Sequence, residues 1–326
     1  MGQLEFDYYI PADVTIDTAG KPDSWDNIYS FDDRKDRFLQ SFSGLGMPPI
    51  DYITQQGPYQ NGVTALDFRL KPRTIQMVHR RLGNCRQDYW DNRTDLINLI
   101  RPNRQAANNF VSGRLRKILP NWEVRDLLCF VQSGPKFNAR KSDEWDEYSF
   151  QETLRFVAHN PILFNPALTS VGWAAEEGGN LVFYDSPDWT DRLVFPIWFG
   201  GGVFSSLINI NYNGTWESFP IIYLSGPLKS PKITNTTTDK KIELQYDISA
   251  GETVTINLEY GQKTISNNYG INLIGTATTD SDMTEFSIVP APIAANGINV
   301  LQGFASEIVV GQSEIQITFN ERFIGI

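Results

Sequence analysis

Thr253-Val254-Thr255-Ile256-Asn257-Leu258-Glu259-Tyr260, then Gly261, then Gln262-Lys263-Thr264-Ile265-Ser266 alternates apolar with polar residues on both sides of a Tyr-Gly pair. A period of two puts one row of side chains on each face of a strand, and Tyr260-Gly261 between two such runs is a hairpin signal. Similar short patterns recur at 192–199, 203–212, 215–224, 241–246 and 314–319, each broken by Gly, Asn or Asp. No helical stripe competes with them, so residues 166–326 are expected to form an antiparallel β-sandwich or jelly roll.

Residues 1–165 read differently. Strand patterns stand at 4–10, 65–71 and 74–81, a hairpin at 113–119 and 124–132 turns through Pro120-Asn121, and a further strand at 150–158 stops at Asn160-Pro161. One helix is predicted over 88–100, with Tyr89, Leu96 and Ile100 on one stripe and Trp90 and Ile97 on the adjacent one, and Pro102 ends it. Trp90, Leu96, Ile97 and Ile100 are therefore the expected packing residues. The stretch from Ala12 to Gly62 is rich in Asp, Gly, Pro and Ser and reads as long and irregular. The domain boundary is placed near Asn165-Pro166, which gives an N-terminal β-barrel-like or sandwich domain with one helix and a C-terminal antiparallel β-sandwich, a mainly β class.

A length of 326 residues suits two such domains. The net charge of -10 is uneven: residues 1–165 hold 21 acidic and 21 basic side chains, residues 166–326 hold 17 and 7. Residues 69–125 concentrate 13 basic groups against 4 acidic, mostly arginine, which suits bidentate pairing with carboxylates better than diffuse phosphate contact. The acidic groups of residues 1–67 and of the second half could pair with this stretch inside one subunit or between subunits; Arg69, Arg73, Arg80, Arg81 and Arg86 are expected to form the face between subunits, and no specific nucleic-acid binding is expected.

Enzymatic signals are sparse. With two histidines, His79 and His159, and two cysteines, Cys85 and Cys129, neither a histidine-based catalytic scheme nor a four-thiolate zinc site is assigned, and both thiols are expected free and mostly buried. Gly200-Gly201-Gly202 lacks the Lys-Ser/Thr that completes a phosphate loop. The residual enzymatic hint is Asp185, Asp188, Trp189 and Asp191, with Glu176-Glu177, Trp173 and Trp198 nearby, since carboxylates beside aromatic platforms serve glycan recognition and cleavage. No cofactor or metal is expected. Asp280, Asp282 and Glu285 lack the glycine that a calcium loop requires. No 18-residue apolar run and no leader pattern occurs, so neither a membrane span nor export is expected.

The order of motifs in the first half resembles the distal tail proteins of long-tailed, siphovirus-type bacteriophages. It runs through Gly44-Leu45-Gly46-Met47-Pro48-Pro49, Gln56-Gly57-Pro58-Tyr59-Gln60-Asn61-Gly62, Arg73-Thr74-Ile75-Gln76-Met77 and the helix Arg93 to Pro102, and closes on Phe156 to Phe164. The resemblance implies an N-terminal domain that assembles as a homo-hexameric ring and a galectin-like C-terminal sandwich displayed outside it. It further implies a virion tail-tip location after synthesis in the host cytoplasm, with the tail tube protein, the tail-tip hub and the tape measure protein as partners and receptor-binding proteins as a further class. The family offers no catalytic residues to carry over. A carbohydrate-binding module, or a glycan hydrolase acting on host cell-surface polysaccharide, is the competing expectation.

Overall fold

The structure is a computed structural model, and it describes residues 4–7, 28–31, 36–100, 112–136, 149–176, 203–204 and 207–326. The chain is mainly β, as the alternation predicts, and among the described residues it has one α-helix. It divides into two compact units, Met1–Pro166 with Arg322–Ile326, and Ala167–Glu321. The chain therefore crosses between them twice, and residues after Glu321 return to the first unit.

In unit 1 the strands are β1 (Leu4–Asp7), β2 (Ile28–Ser30), β3 (Arg37–Ser43), β4 (Ile50–Gln55), β5 (Thr64–Leu70), β6 (Arg73–Leu82), β7 (Gly113–Ile118), β8 (Val124–Ser133) and β9 (Ser149–Ala158), with α1 (Arg86–Ile100) between β6 and β7. Seven strands form an antiparallel ladder in the order β2-β1-β7-β8-β9-β6-β3. Among the described residues β4 and β5 pair only with each other. The 12–62 stretch was expected to be irregular, yet it contains β2, β3 and β4.

β6 shows why this sheet forms. Arg73, Ile75, Met77, His79 and Arg81 are buried and alternate with less buried residues. The inward row joins Leu115, Leu127, Leu154 and Phe156 in a single core. α1 closes over that core with Asn92, Leu96 and Ile100. Residues spaced by four lie on one side of a helix, whereas Trp90 and Ile97, seven apart, share another side and are 51% and 48% exposed. The expectation that Trp90 and Ile97 pack is thus corrected: they face outward.

Strand β10 (Leu163–Glu176) carries the chain into unit 2, where β11 (Val203–Phe204), β12 (Ile208–Asn211), β13 (Ile221–Ser225), β14 (Leu228–Lys229), β15 (Lys232–Asn235), β16 (Lys240–Glu243), β17 (Asp247–Ile248), β18 (Thr253–Asn257), β19 (Thr264–Asn267), β20 (Ile298–Phe304), β21 (Glu307–Ile308) and β22 (Glu314–Phe323) follow. The sequence stretch 203–212 divides into β11 and β12, and the pattern at 192–199 lies outside the described residues. One antiparallel set runs β19-β18-β13-β22, another β12-β20-β15-β16, and a small third runs β17-β14-β21.

Ile222, Leu224, Val254, Ile256, Ile315 and Ile317 from the first set meet Ile210, Ile233, Ile242 and Leu301 from the second in one buried core. Trp173 lies in this core at 3% exposure, with Gly303 so close that a Cβ there would stand 3.2 Å from the indole, so it is no surface platform. The Tyr260-Gly261 turn joins β18 to β19, with Gly261 at φ +80°.

A buried carboxylate fixes the β17–β18 connection. Glu252 accepts hydrogen bonds from the Tyr246 hydroxyl and the Asn267 side-chain amide, both at 2.8 Å, and from the Ser249 backbone N–H at 3.1 Å. Burial alone would raise its pKa, but these donors outweigh burial and hold the carboxyl below its ordinary value. A lowered folded-state pKa contributes stability that is complete above the unfolded value and lost as pH falls through the folded one. Acid titration of unit 2 unfolding should show this loss below the ordinary glutamate value of 4.5, and Glu252→Gln should flatten that part of the profile. In unit 1, Leu96→Ala should cost about 2–5 kcal/mol while Ile97→Ala stays within about 0.5 kcal/mol, measured by denaturant unfolding.

Candidate interaction surface

Among the described residues no group of three or more His, Cys, Asp or Glu side chains stands where it could hold a metal. Asp280, Asp282 and Glu285 instead pair with Lys240 and Lys241. Cys129 is buried, which pushes its thiol up, while Cys85 is exposed, contrary to the expectation for it. Asp185, Asp188, Trp189 and Asp191 lie outside the described residues, as do Glu177 and Trp198.

The arginines expected to form one face are placed in three settings. Arg73 is 1% exposed and Arg81 is buried, so neither belongs to an open face. The cause is strand parity: both share the inward row of β6 with Ile75 and Met77. Arg81 donates to Asn92 O at 3.3 Å, and the Asn92 side-chain amide donates to Leu82 O at 3.2 Å, which pins α1 to β6. Arg80 is half-buried and reaches Ser149 Oγ at 3.5 Å. Arg69, on β5, and Arg86, opening α1, are exposed on separate elements.

The carboxylate pairing that an arginine-rich stretch favours occurs inside the unit: Arg116 Nε and Nη2 donate to the two oxygens of Asp126 at 2.8 and 2.9 Å, Arg114 stands at 3.4 Å, and Asp126 is fully buried. Removing this carboxylate leaves two cations without their counter-ion. Asp126→Ala should therefore lower unit 1 stability by about 3–5 kcal/mol in denaturant unfolding.

Arg73 has another kind of environment. Its Nη1 donates to Gly46 O at 2.9 Å and Gly44 O at 3.3 Å, and its Nη2 to Ile324 O at 2.6 Å. Burial lowers its pKa to about 10, which leaves it charged at neutral pH. Glycine is required at 44: φ is +98°, and a Cβ would lie 2.1 Å from Thr74 O. The side chain of residue 73 is thus fastened to the backbone at 44 and 46, closing the base of everything between.

What it closes is the β4–β5 hairpin. The Lys71 amide donates to Pro49 O at 2.8 Å, and the Lys71 ammonium sits 3.1 Å from Asp51. Pairing of Ile50 with Leu70 and Tyr52 with Phe68 puts four apolar side chains on one face; Asp51 with Arg69 and Ile53 with Asp67 occupy the other. A register shift after Ile53 sets Leu66 out of the pairing.

Every residue of the hairpin strands except the two at the root is exposed, Tyr52 by 62% and Phe68 by 46%. At the tip, Gln60 N donates to Gly57 O at 3.2 Å, and Gly57 N to the Gln60 side chain at 2.9 Å. Tyr59 is held there at φ +65° with its ring fully exposed, a conformation that costs a non-glycine residue free energy. A two-stranded ribbon is marginal in water by itself, and this one presents aromatic and aliphatic side chains to solvent. Of its two strands the sequence pattern marked β5, at 65–71, and not β4.

Residues 213–323 match the family model described as siphovirus-type tail component, C-terminal domain. The motifs at 44–164 had indicated the same kind of protein through other residues. No curated protein matches this chain in sequence. Its fold resembles that of the SPP1 Dit protein, presented as a paradigm of hub adsorption apparatus in Gram-positive infecting phages, at 11% identity and a TM-score of 0.59, over 99% of each chain. It is also similar to chains of the phage P2 baseplate in its activated conformation with Ca, at 11% identity, TM-score 0.43 and 98% of each chain, and with Sr, at 10%, 0.45 and 98%.

The exposure of Tyr52 and Leu66 implies that these side chains contribute little to the fold of the isolated chain. Tyr52→Ser and Leu66→Ser should each leave its denaturant midpoint within the equivalent of about 0.5 kcal/mol.

Proposed function

We propose that this chain is a structural component of a siphovirus-type distal tail, in which unit 1 assembles with copies of itself into a hexameric ring and a galectin-like unit 2 stands outside it. The ring joins the tail tube protein to the tail-tip hub and the tape measure protein, and offers a place for receptor-binding proteins; no catalytic step is assigned to it.

The observation that carries this reading is the amphipathic hairpin. A ring grows by repeating one heterologous contact, which needs two different surfaces on each subunit. A projecting ribbon with Tyr52, Leu66 and Phe68 exposed is suited to be the donating surface of such a contact, since aromatic anchors dominate the energetics of protein interfaces. The family match over 213–323 supports the tail assignment independently. Charge is consistent with it: the excess of acidic groups after residue 165 disfavours close packing of several copies of unit 2.

The glycan readings draw no comparable support, since Trp173, the tryptophan of their residue set that the structure describes, is a core side chain. Native mass spectrometry tests the proposal: the full chain should run at a multiple of 36.9 kDa, and the Tyr52→Ser/Phe68→Ser double variant should shift to the single-chain mass. A single-chain mass for the unaltered protein at concentrations up to the micromolar range, about that of ordinary specific complexes, would reject self-assembly.

A further inference from the structure

The Arg73 cage has a third wall that hairpin closure does not require. Two of its carbonyls, at Gly44 and Gly46, lie on the approach to β4, but the third belongs to Ile324, 251 residues along the chain. The neighbouring residues reinforce that wall. Phe323 is buried in the unit 1 core with the Arg125 guanidinium 3.5 Å from its ring centroid. Ile326 N donates to Leu45 O at 3.1 Å, and Gly325 lies so close to Gly46 that a Cβ on it would stand 2.9 Å from the Gly46 carbonyl carbon and oxygen. Leu45 is itself a core residue of unit 1. Residues 44–46 are thus held between the Arg73 guanidinium and a returning five-residue strap, and they lead within four residues into the hairpin.

Without the strap, the buried guanidinium loses one of three acceptors and the 44–46 backbone loses a flanking chain. An underpaired buried cation is costly, so a shifted position of the hairpin root becomes competitive with the closed one. We propose that residues 322–326 are a latch on the root of the β4–β5 hairpin: seated, they hold the arm in place, and unseated, they let it loosen while the rest of unit 1 stays folded. Its consequence for assembly, though not the latch itself, rests on the docking role given to the hairpin above.

Amide hydrogen exchange on the full chain tests this. Gly325→Val wedges the strap away from Gly46, and a second variant ending after Ile324 removes the Ile326 N–H but keeps Phe323 and the Ile324 carbonyl. Both should speed exchange at Lys71 and along the β4–β5 ladder, by about tenfold or more for the wedge, with β8, β9, β13 and β18 unchanged. Unaltered hairpin exchange in both variants overturns the latch, as does an equal rise throughout unit 1. If the wedge unfolds the unit altogether, the shorter-chain variant decides between these outcomes. Native mass on the same samples separates the two claims: a loosened hairpin with an unchanged assembly overturns the docking role and leaves the latch standing, whereas an unchanged hairpin overturns the latch whatever the assembly does.

Discussion

A guanidinium buried without a carboxylate has to be satisfied by backbone, and at Arg73 this requirement organises unit 1. Three carbonyls from two distant stretches converge on one side chain, and each stretch is then constrained by what lies next to it. Gly44 must approach the β6 backbone too closely for any side chain. Leu45 and Phe323 must enter the core. The hairpin leaves from a fixed root, with Pro49 and Lys71 bonded across its base. Where an ion pair would join two side chains, this cage joins three pieces of main chain, which is what a rigid base for a projecting arm needs.

The two polar centres of unit 1 have different physical roles. Asp126 pairs with both Arg114 and Arg116 across β7 and β8, a charge pairing between neighbouring strands that locks their register. Arg73 neutralises nothing; it makes hydrogen bonds that organise loops. Both depend on arginine geometry, a planar fork of donors that lysine cannot reproduce. In unit 2 the corresponding fixed point is the Glu252 carboxylate, with three donors and no cation. These polar sites set connections, while the apolar rows of the strands supply the bulk of the burial.

Much of this was legible in the residues. Period-two alternation gave β6, β7, β8, β9, β18 and β19 to within a few residues, because each buries one face and is therefore patterned by it. The arginines of β6 are not legible from charge, because strand parity decides their place: Arg73 and Arg81 fall on the same row as Ile75 and Met77, and that row is inside. β4 was missed for the opposite reason. Both faces of the hairpin meet solvent, so burial imposes no alternation, and the shift after Ile53 interrupts what little there is. The available signals were the Gly57-Pro58 pair between two β-prone runs and the positive-φ demand of Gly62. A strand exposed on both faces need not show the pattern of one that packs against its own core.

The return of the chain to unit 1 bears on the order in which the protein is made. Synthesis runs from the N-terminal side, so the strands of unit 1 and the whole hairpin emerge before any of unit 2. The residues that complete the Arg73 cage are separated from it by 251 positions and emerge only after unit 2. Unit 1 is begun before unit 2 and completed only after it, and a chain that stops short of residue 324 has its arm but lacks the third wall of the base on which that arm is mounted.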